Sequence, residues 1–424
     1  MKLLQINVTA NSGSTGRIAE GIGEAAMAQG WESYIAYGRH ANPGKSRHIR
    51  IGNDWSVRWH GVESRLLDRH GLASRIATKE LIRQMESINP DIVHLHNIHG
   101  YYINYPLLFD YLRQSGKPVV WTLHDCWSFT GHCAHFVTAG CTKWQSECGD
   151  CPLLNAYPKS ILLDRSKKNY ADKRKAFTSV SNMTIVPVSN WIDGYLHKSF
   201  LRNYPSTVIH NGIDTGAFKP HEEKGKRFTV IGVSGVWDKS KGLDDFVELA
   251  GMLPDDVNMK LVGVTCRQKE KLPGNITGIE HTESIDELAE IYSEADLFLN
   301  LTYADTFPTT NLEALACGTP VLTYDTGGSP EAVTKETGFI VPQGDLRSVM
   351  EIIRKVKDEG KSHYSEACRR RALENFRKED RYNDYLQLYN NIISKNHQLK
   401  EVKGGGKLTV IIQGLNSNEE RRAA

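Results

Sequence analysis

The stretch LFLNLTYADTFPTTNLEALACGTPVLTYDTGGSPEAVTKETGFIVP, residues 297–342, decides the fold. It alternates apolar runs of strand length with a polar loop, one amphipathic helical segment and a glycine turn, the arrangement of buried parallel strands joined by crossovers. Upstream, RFTVIGVSG (227–235), VNMKLVG (257–263) and ITGIEHT (276–282) repeat the pattern, with helices beginning near Gly242, Ile285, Asn311 and Asp345. Earlier still, KLLQINV, ESYIAYG, DIVHLH, KPVVWTLHD, MTIVPVS and STVIH read as six more strands, with helices such as Arg17 to Gln29 and Thr78 to Ile88 between them. The expected fold class is therefore α/β, two doubly wound Rossmann-like domains facing a cleft, with ligands bound beyond the carboxyl ends of the strands. The first domain is set at 1–217 and the second at 218–375, after the polar stretch FKPHEEKGKR (218–227). A C-terminal helix over 376–397 is expected to cross back to the first domain, and 400–424 to form a tail.

Composition narrows the function. A chain of 424 residues suits two domains, and 40% hydrophobic with 24% charged residues excludes disorder as the main state. Fifty-two basic against fifty acidic residues give a formal charge of +2, too little field to hold a polyanion, so no nucleic-acid partner is expected. The opening MKLLQINVTANSG is too brief for a secretory apolar region, and no run reaches the ~18 apolar residues of a membrane span. The expected location is cytoplasmic.

Within the deciding stretch, Asp305 ends a loop and Glu313 lies one turn into a helix that Thr310 or Asn311 is expected to cap. The run Thr306, Phe307, Pro308, Thr309, Thr310 and Asn311 leads into a helix N-terminus, whose amides and positive dipole end suit a diphosphate. Gly327 and Gly328 permit a second close backbone approach. A carboxylate just inside an anion site repels phosphate unless it bonds hydroxyls, and a ribose or hexose diol meets that need. In IGVSGVWDKSKG, ending at Gly242, Lys241 sits at a helix start as a point charge for phosphate, with Lys239 nearby.

These residues resemble the family 4 glycosyltransferases of the GT-B fold, whose mark is two acidic residues separated by seven others, then an alanine-rich helix, a Gly, Pro-Val and a Gly-Gly-x-x-Glu turn. Here Asp305 and Glu313 are followed in register by Ala314, Ala316, Cys317, Gly318, Pro320, Val321, Gly327, Gly328 and Glu331. The resemblance implies that Glu313 holds the nucleotide ribose and that Asp305, where the family usually has Glu, faces the transferred sugar. Lys241 and Gly242 match a family Lys-Gly pair, whereas the family's arginine position falls on Val236, leaving Lys239 or backbone amides to supply the charge. The loop Gly13, Ser14, Thr15, Gly16, Arg17 is similar to the family's acceptor-side glycine loop, and His124 matches a family histidine that contacts the donor sugar, with Asp125 expected to orient it or the acceptor. VSNWI and HNGIDTGAF match further landmarks, and HLHNIHGYYIN with HDCWSFTGHC is similar to exopolysaccharide enzymes of the colanic acid type. For His94 and His96 both a structural and a functional role stay open.

The resemblance implies transfer of a sugar from a UDP- or GDP-sugar to a glycan or lipid-diphosphate-linked acceptor with retained configuration. His124, Asp125 and Asp305 would be the catalytic residues, and no cofactor would be needed for catalysis because Lys241 and helix amides neutralise the leaving diphosphate. Two other readings stay open, a sugar-nucleotide epimerase of the same fold and a non-catalytic binding subunit. Basic clusters, Arg65, Arg69, Arg75, Lys79 and Arg83 and then the stretch 159–177, suit peripheral contact with the inner membrane. Separately, Cys133, Cys141, Cys148 and Cys151 crowd the loop 132–152, where a CxxC pair and two upstream thiols suit a structural zinc ion in a reducing compartment; His132 or His135 can replace one of them.

Overall fold

The computed structural model describes residues 1–221 and 227–404. Strands β1 (Lys2–Asn7), β2 (Glu32–Tyr37), β3 (Arg47–Arg50), β4 (Ile92–Leu95), β5 (Val119–Leu123) and β6 (Met183–Pro187) form a parallel sheet in the order β3-β2-β1-β4-β5-β6. Around it lie α1 (Gly13–Ala28), α2 (Asp54–Leu67), α3 (Arg75–Ile88), α4 (Tyr105–Ser115), α5 (Ser166–Phe177) and α6 (Asn190–Leu196). The second half repeats the plan. Strands β7 (Phe228–Val233), β8 (Val257–Val262), β9 (Ile276–Ile279), β10 (Leu297–Asn300), β11 (Val321–Tyr324) and β12 (Gly338–Val341) pair in the order β12-β11-β10-β7-β8-β9. Its helices are α7 (Leu243–Ala250), α8 (Cys266–Lys269), α9 (Ile285–Glu294), α10 (Thr309–Ala316), α11 (Leu346–Glu359), α12 (Ser362–Asn375) and α13 (Lys378–Gly404). Both sheets are doubly wound, and their order reverses between β1 and β4 and between β7 and β10, where ligand crevices form.

Two strand assignments from sequence are corrected. STVIH makes only an isolated bridge, Ser206 to Ile185, whereas the edge strand β3 has the sequence RHIR and was missed. An edge strand half open to water needs no apolar run, so charge patterning hid it. The C-terminal helix expected over 376–397 is α13, which begins at Lys378; it is separated from α12 by Phe376 and Arg377, where Ile213 donates to the Phe376 carbonyl and Lys378 to that of Ile213. The chain's second crossing between domains is thus stitched to its first. The linker residues 222–226 and, past 404, the tail lie outside the described residues.

Helix α13 carries Tyr382, Tyr385, Leu386, Tyr389 and Ile393 on one stripe, packed on Leu3, Ile18, Ile22, Ala26 and Trp31 of the first domain. Its phenols reach into the sheet: Tyr389 bonds His94 Nδ1 at 2.6 Å and Tyr385 bonds Thr122 at 3.1 Å. Gly21 on α1 leaves room for the Tyr382 ring, since a Cβ there would stand 2.3 Å from it. Leu386 is fully buried, so Leu386→Ala is expected to cost the first domain about 2–5 kcal/mol by urea denaturation. Val236→Ala, on an exposed loop, should fall within about 0.5 kcal/mol of the parent.

Candidate active site

The loops after β7 and β10 flank the point where the second sheet reverses, and there Lys241 Nζ stands 2.6 Å from Asp305 Oδ2. The loops are tied together: Ser240 O accepts from Tyr303 N at 2.7 Å and Thr302 Oγ1 at 3.0 Å. Gly242 has φ +72°, and a Cβ there would lie 2.1 Å from the Leu301 carbonyl, so no other residue fits. Lys239 is exposed and has no partner among the described residues, and Val236 is exposed on the same loop.

Helix α10 starts at Thr309 with Pro308 as its N-cap, and no side chain caps it. This corrects the expected cap from Thr310 or Asn311. Asn311 is instead buried, accepting from Asn300 at 2.7 Å and donating to Ser329 O at 3.1 Å. The leading amides are left without a side-chain acceptor, the state in which a helix end takes an anion. Glu313 accepts from the Tyr292 hydroxyl at 2.9 Å. Burial raises its pKa, and bonds from Tyr292 and Thr309 together with the charge of Arg17 across the cleft oppose that rise. The two glycines of the Gly-Gly turn serve the protein's own backbone: a Cβ on Gly327 would meet the Asp305 carbonyl at 1.7 Å, and one on Gly328 the Thr306 carbonyl at 1.9 Å.

In the first domain, Gly13 (φ +65°) opens α1, whose N-terminus has no side-chain cap. Gly16 packs against Thr9, Thr15 Oγ1 accepts from Asn7 at 3.3 Å, and Ser14 and Arg17 are exposed. The histidines form a polarised chain. Gln5 Nε2 donates to the Ala19 carbonyl at 2.6 Å, so Gln5 Oε1 is the acceptor facing His96 Nε2 at 3.0 Å. His96 is buried and uncharged, so its Nδ1 accepts from His124 Nε2 at 3.1 Å. His124, lowered to about 4 chiefly by burial, is neutral and keeps Nδ1 as its acceptor. Asp125 is not bonded to His124, so the first of its two expected roles is corrected: its carboxylate takes His99 Nε2 at 2.7 Å and Trp127 N at 2.9 Å. Burial would raise its pKa, but His99, His135 and the Trp127 amide bring it down to about 2. His94 is held by Thr122 and Tyr389, inside the fold.

The halves meet through these same residues. Thr306 Oγ1 donates to the His124 carbonyl at 2.6 Å, Asn211 donates to the Phe307 carbonyl at 3.0 Å, and His210 stacks on Phe307 at 4.5 Å. Glu331 accepts from Asn190 N and Nδ2, Trp191 N and His210 Nε2, all within 3.0 Å, capping α6 from the other domain. His135 of the cysteine-rich loop feels Asp125, Asp305 and Lys241, and its buried Nδ1 has no partner. Sequence reasoning missed Glu331's docking role and the place of His135 at the crevice, having read His135 only as a candidate metal ligand. Lys241, Asp305, Thr306, His124, Asp125, Glu313 and Arg17 thus border one crevice. The four cysteines line a separate cavity in the first domain.

Comparison with known proteins adds to this geometry. The family model "Glycosyltransferase Family 4" matches residues 15–217, and "Glycosyl transferases group 1" matches 214–375. The chain is 24% identical over 375 residues to the colanic acid biosynthesis glycosyl transferase WcaC of Escherichia coli (strain K12), covering 83% of this chain and 90% of that one. Among solved structures it is similar to sucrose-phosphate synthase from Thermosynechococcus elongatus, with TM-score 0.66 and 16% identity over 93% of this chain and 99% of that one. It is also similar to Anabaena HepE in complex with UDP-glucose, with TM-score 0.62 and 13% identity over 92% and 100%.

Burial keeps several first-domain histidines uncharged: His60 is lowered to about 3, His124 to about 4, and His70, His94 and His96 well below their ordinary value. Unfolded, each would take up a proton near pH ~6.5. Folded values below unfolded ones mean that this stability is complete above that pH and is lost as pH falls. The unfolding free energy should therefore drop steadily between about pH 6.5 and about pH 4, by up to ~1.4 kcal/mol per pH unit per ring, read by urea denaturation. A flat profile would contradict the buried, neutral assignment.

Proposed function

On the premise that this chain belongs to the GT-B glycosyltransferases that pair a family 4 domain with a group 1 domain, we propose that it moves a sugar from a nucleoside diphosphate sugar to an acceptor hydroxyl with retained anomeric configuration, in cell-surface polysaccharide synthesis. The family match decides against the epimerase and binding-subunit readings. One observation carries the finer proposal: the Lys241 ammonium stands beside Asp305 on the loop that leads to the uncapped N-terminus of α10, with the His124 carbonyl joined to that loop through Thr306.

In this reading the diphosphate displaces Asp305 as the partner of Lys241 and takes the amides of the first turn of α10. Glu313 takes the ribose hydroxyls, its bonded Tyr292 holding it in place. The anomeric carbon–oxygen bond to phosphate breaks, and the acceptor oxygen bonds the same face. The acceptor's proton passes to the departing phosphate oxygen, whose charge Lys241 stabilises. His124, neutral with Nδ1 as acceptor, suits a donor-sugar hydroxyl. The UDP-glucose held by Anabaena HepE makes a UDP-hexose the first donor to test.

The acceptor side has a surface that fits a lipid-linked substrate. Helix α2 exposes Trp55, Trp59, Val62 and Leu66 along one face, and Ile76 and Ile161 to Leu163 are exposed close by in the same domain. Ile161 N bonds the Arg65 carbonyl at 2.7 Å, which sets this second apolar run beside α2. Arg58, Arg65, Arg75 and Lys79 are exposed around it. Tryptophans flanked by cations suit an anionic phospholipid interface. Lys173 does not contribute to it, contrary to the basic stretch read from sequence: it is buried. Among the described residues no helix is long and apolar enough to cross a membrane.

Lys241→Ala should lower kcat by about 10²–10³-fold with little change in melting temperature, because the side chain is partly exposed; unchanged turnover would overturn its role. Product anomers read by NMR test retention. Trp55→Ser with Trp59→Ser should abolish salt-sensitive flotation with phosphatidylglycerol vesicles while sparing turnover on a soluble acceptor. Equal flotation by parent and variant would remove the membrane contact.

A further inference from the structure

Between β5 and α5 the chain makes an excursion, residues 124–165, that contains only three short 3₁₀ turns, at Trp127–Phe129, Val137–Ala139 and Lys143–Gln145. So long an irregular segment inside a compact domain needs its own fastening. Part of that fastening is aromatic, from Phe129, Phe136 and Trp144. The rest is a cavity lined by Cys133, Cys141, Cys148 and Cys151 together with His132.

The polar groups at this cavity have an unfinished pattern. Cys148 Sγ accepts the Gly131 amide at 3.2 Å, Cys151 sulfur takes the Leu153 amide, and the Cys133 thiol is bonded to Cys151. His132 is 2% exposed; its Nδ1 faces Asp68 Oδ1 at 2.6 Å, and its buried Nε2 has no partner. A carboxylate on one ring nitrogen and an orphaned acceptor on the other is the usual dress of a metal-binding histidine. Beside it Lys173, 1% exposed, donates to the carbonyls of Trp127 and Thr130 and lies 3.5 Å from the Trp127 ring centre. Burial lowers its pKa to about 7 although Cys148, Cys133, Asp68 and Asp125 attract its charge, and a dication held by three or four thiolates carries net negative charge that suits a lysine there.

We propose that this cavity is a structural zinc site, held by the thiolates of Cys133, Cys148 and Cys151 with either Cys141 or His132 as the fourth ligand. Sulfur and imidazole donors in a closed tetrahedral set select Zn²⁺ over harder cations. As the side chains stand, no three such groups among the described residues are gathered as a metal needs. Binding therefore draws the thiols inward and releases their protons. The ion fastens the segment that carries His135 to the crevice facing Asp305 and Lys241.

The test is elemental analysis of the full chain purified without chelator, which should give about one zinc per chain. Cobalt substituted for zinc should give an intense thiolate-to-metal absorption. Cys148→Ser with Cys151→Ser should lose the metal, and loss in either Cys141→Ser or His132→Gln identifies the fourth ligand. Should the double variant fail to fold, the parent still decides: stripping its metal with a thiol reagent and chelator should open proteolytic cleavage confined to residues 124–165. A metal-free chain whose four thiols all titrate freely, or a disulfide among them, would overturn the proposal.

Discussion

One carboxylate governs how the two halves meet. Glu331 receives four hydrogen bonds from the other domain, two of them amides at the start of α6, so its charge is fully met although it is mostly buried. Burial alone would raise its pKa, yet the bonds from His210, Asn190 and Trp191 hold it below the ordinary value. A charge so placed tolerates no half-made arrangement, because breaking one side leaves the other buried and unpaired. Beside it the His210 ring stacks on Phe307, and Asn211 holds the Phe307 carbonyl, which fixes the loop of Asp305 and Thr306 against His124.

From that docking the crevice follows. The reversal point of each sheet opens toward the other, so the lysine and carboxylates of one domain oppose the arginine and histidines of its neighbour. Glycine is required where loop backbones touch: Gly242 against Leu301, Gly327 against Asp305 and Gly328 against Thr306. These contacts hold the Asp305 loop tightly against its neighbours, leaving its backbone little freedom.

Much of this was legible in the sequence, because buried parallel strands and acidic residues in a fixed register are local signals. All six second-domain strands and five of the first were readable as apolar runs; RHIR was not, since its exposed edge needs no such run. The cap of α10 was misread because Asn311 has a tertiary partner, Asn300, that outcompetes the helix end. Lys173 looked like one more surface cation until aromatic and carbonyl partners far along the chain enclosed it. Glu331's partners at Asn190 to His210 and His135's at Asp305 are separated by more than a hundred residues in the chain. No spacing rule reaches that far.

The stitched crossing at Ile213 and Arg377 and the tyrosine stripe beyond it bear on biogenesis. The first sheet is synthesised before the helix that covers one of its faces, with the whole second domain between them. Until then Leu3, Ile22, Trp31 and their neighbours lack their cover, and exposed apolar surface of this kind favours aggregation. Early stop codons that spare every residue of the crevice would still leave a first domain prone to aggregate.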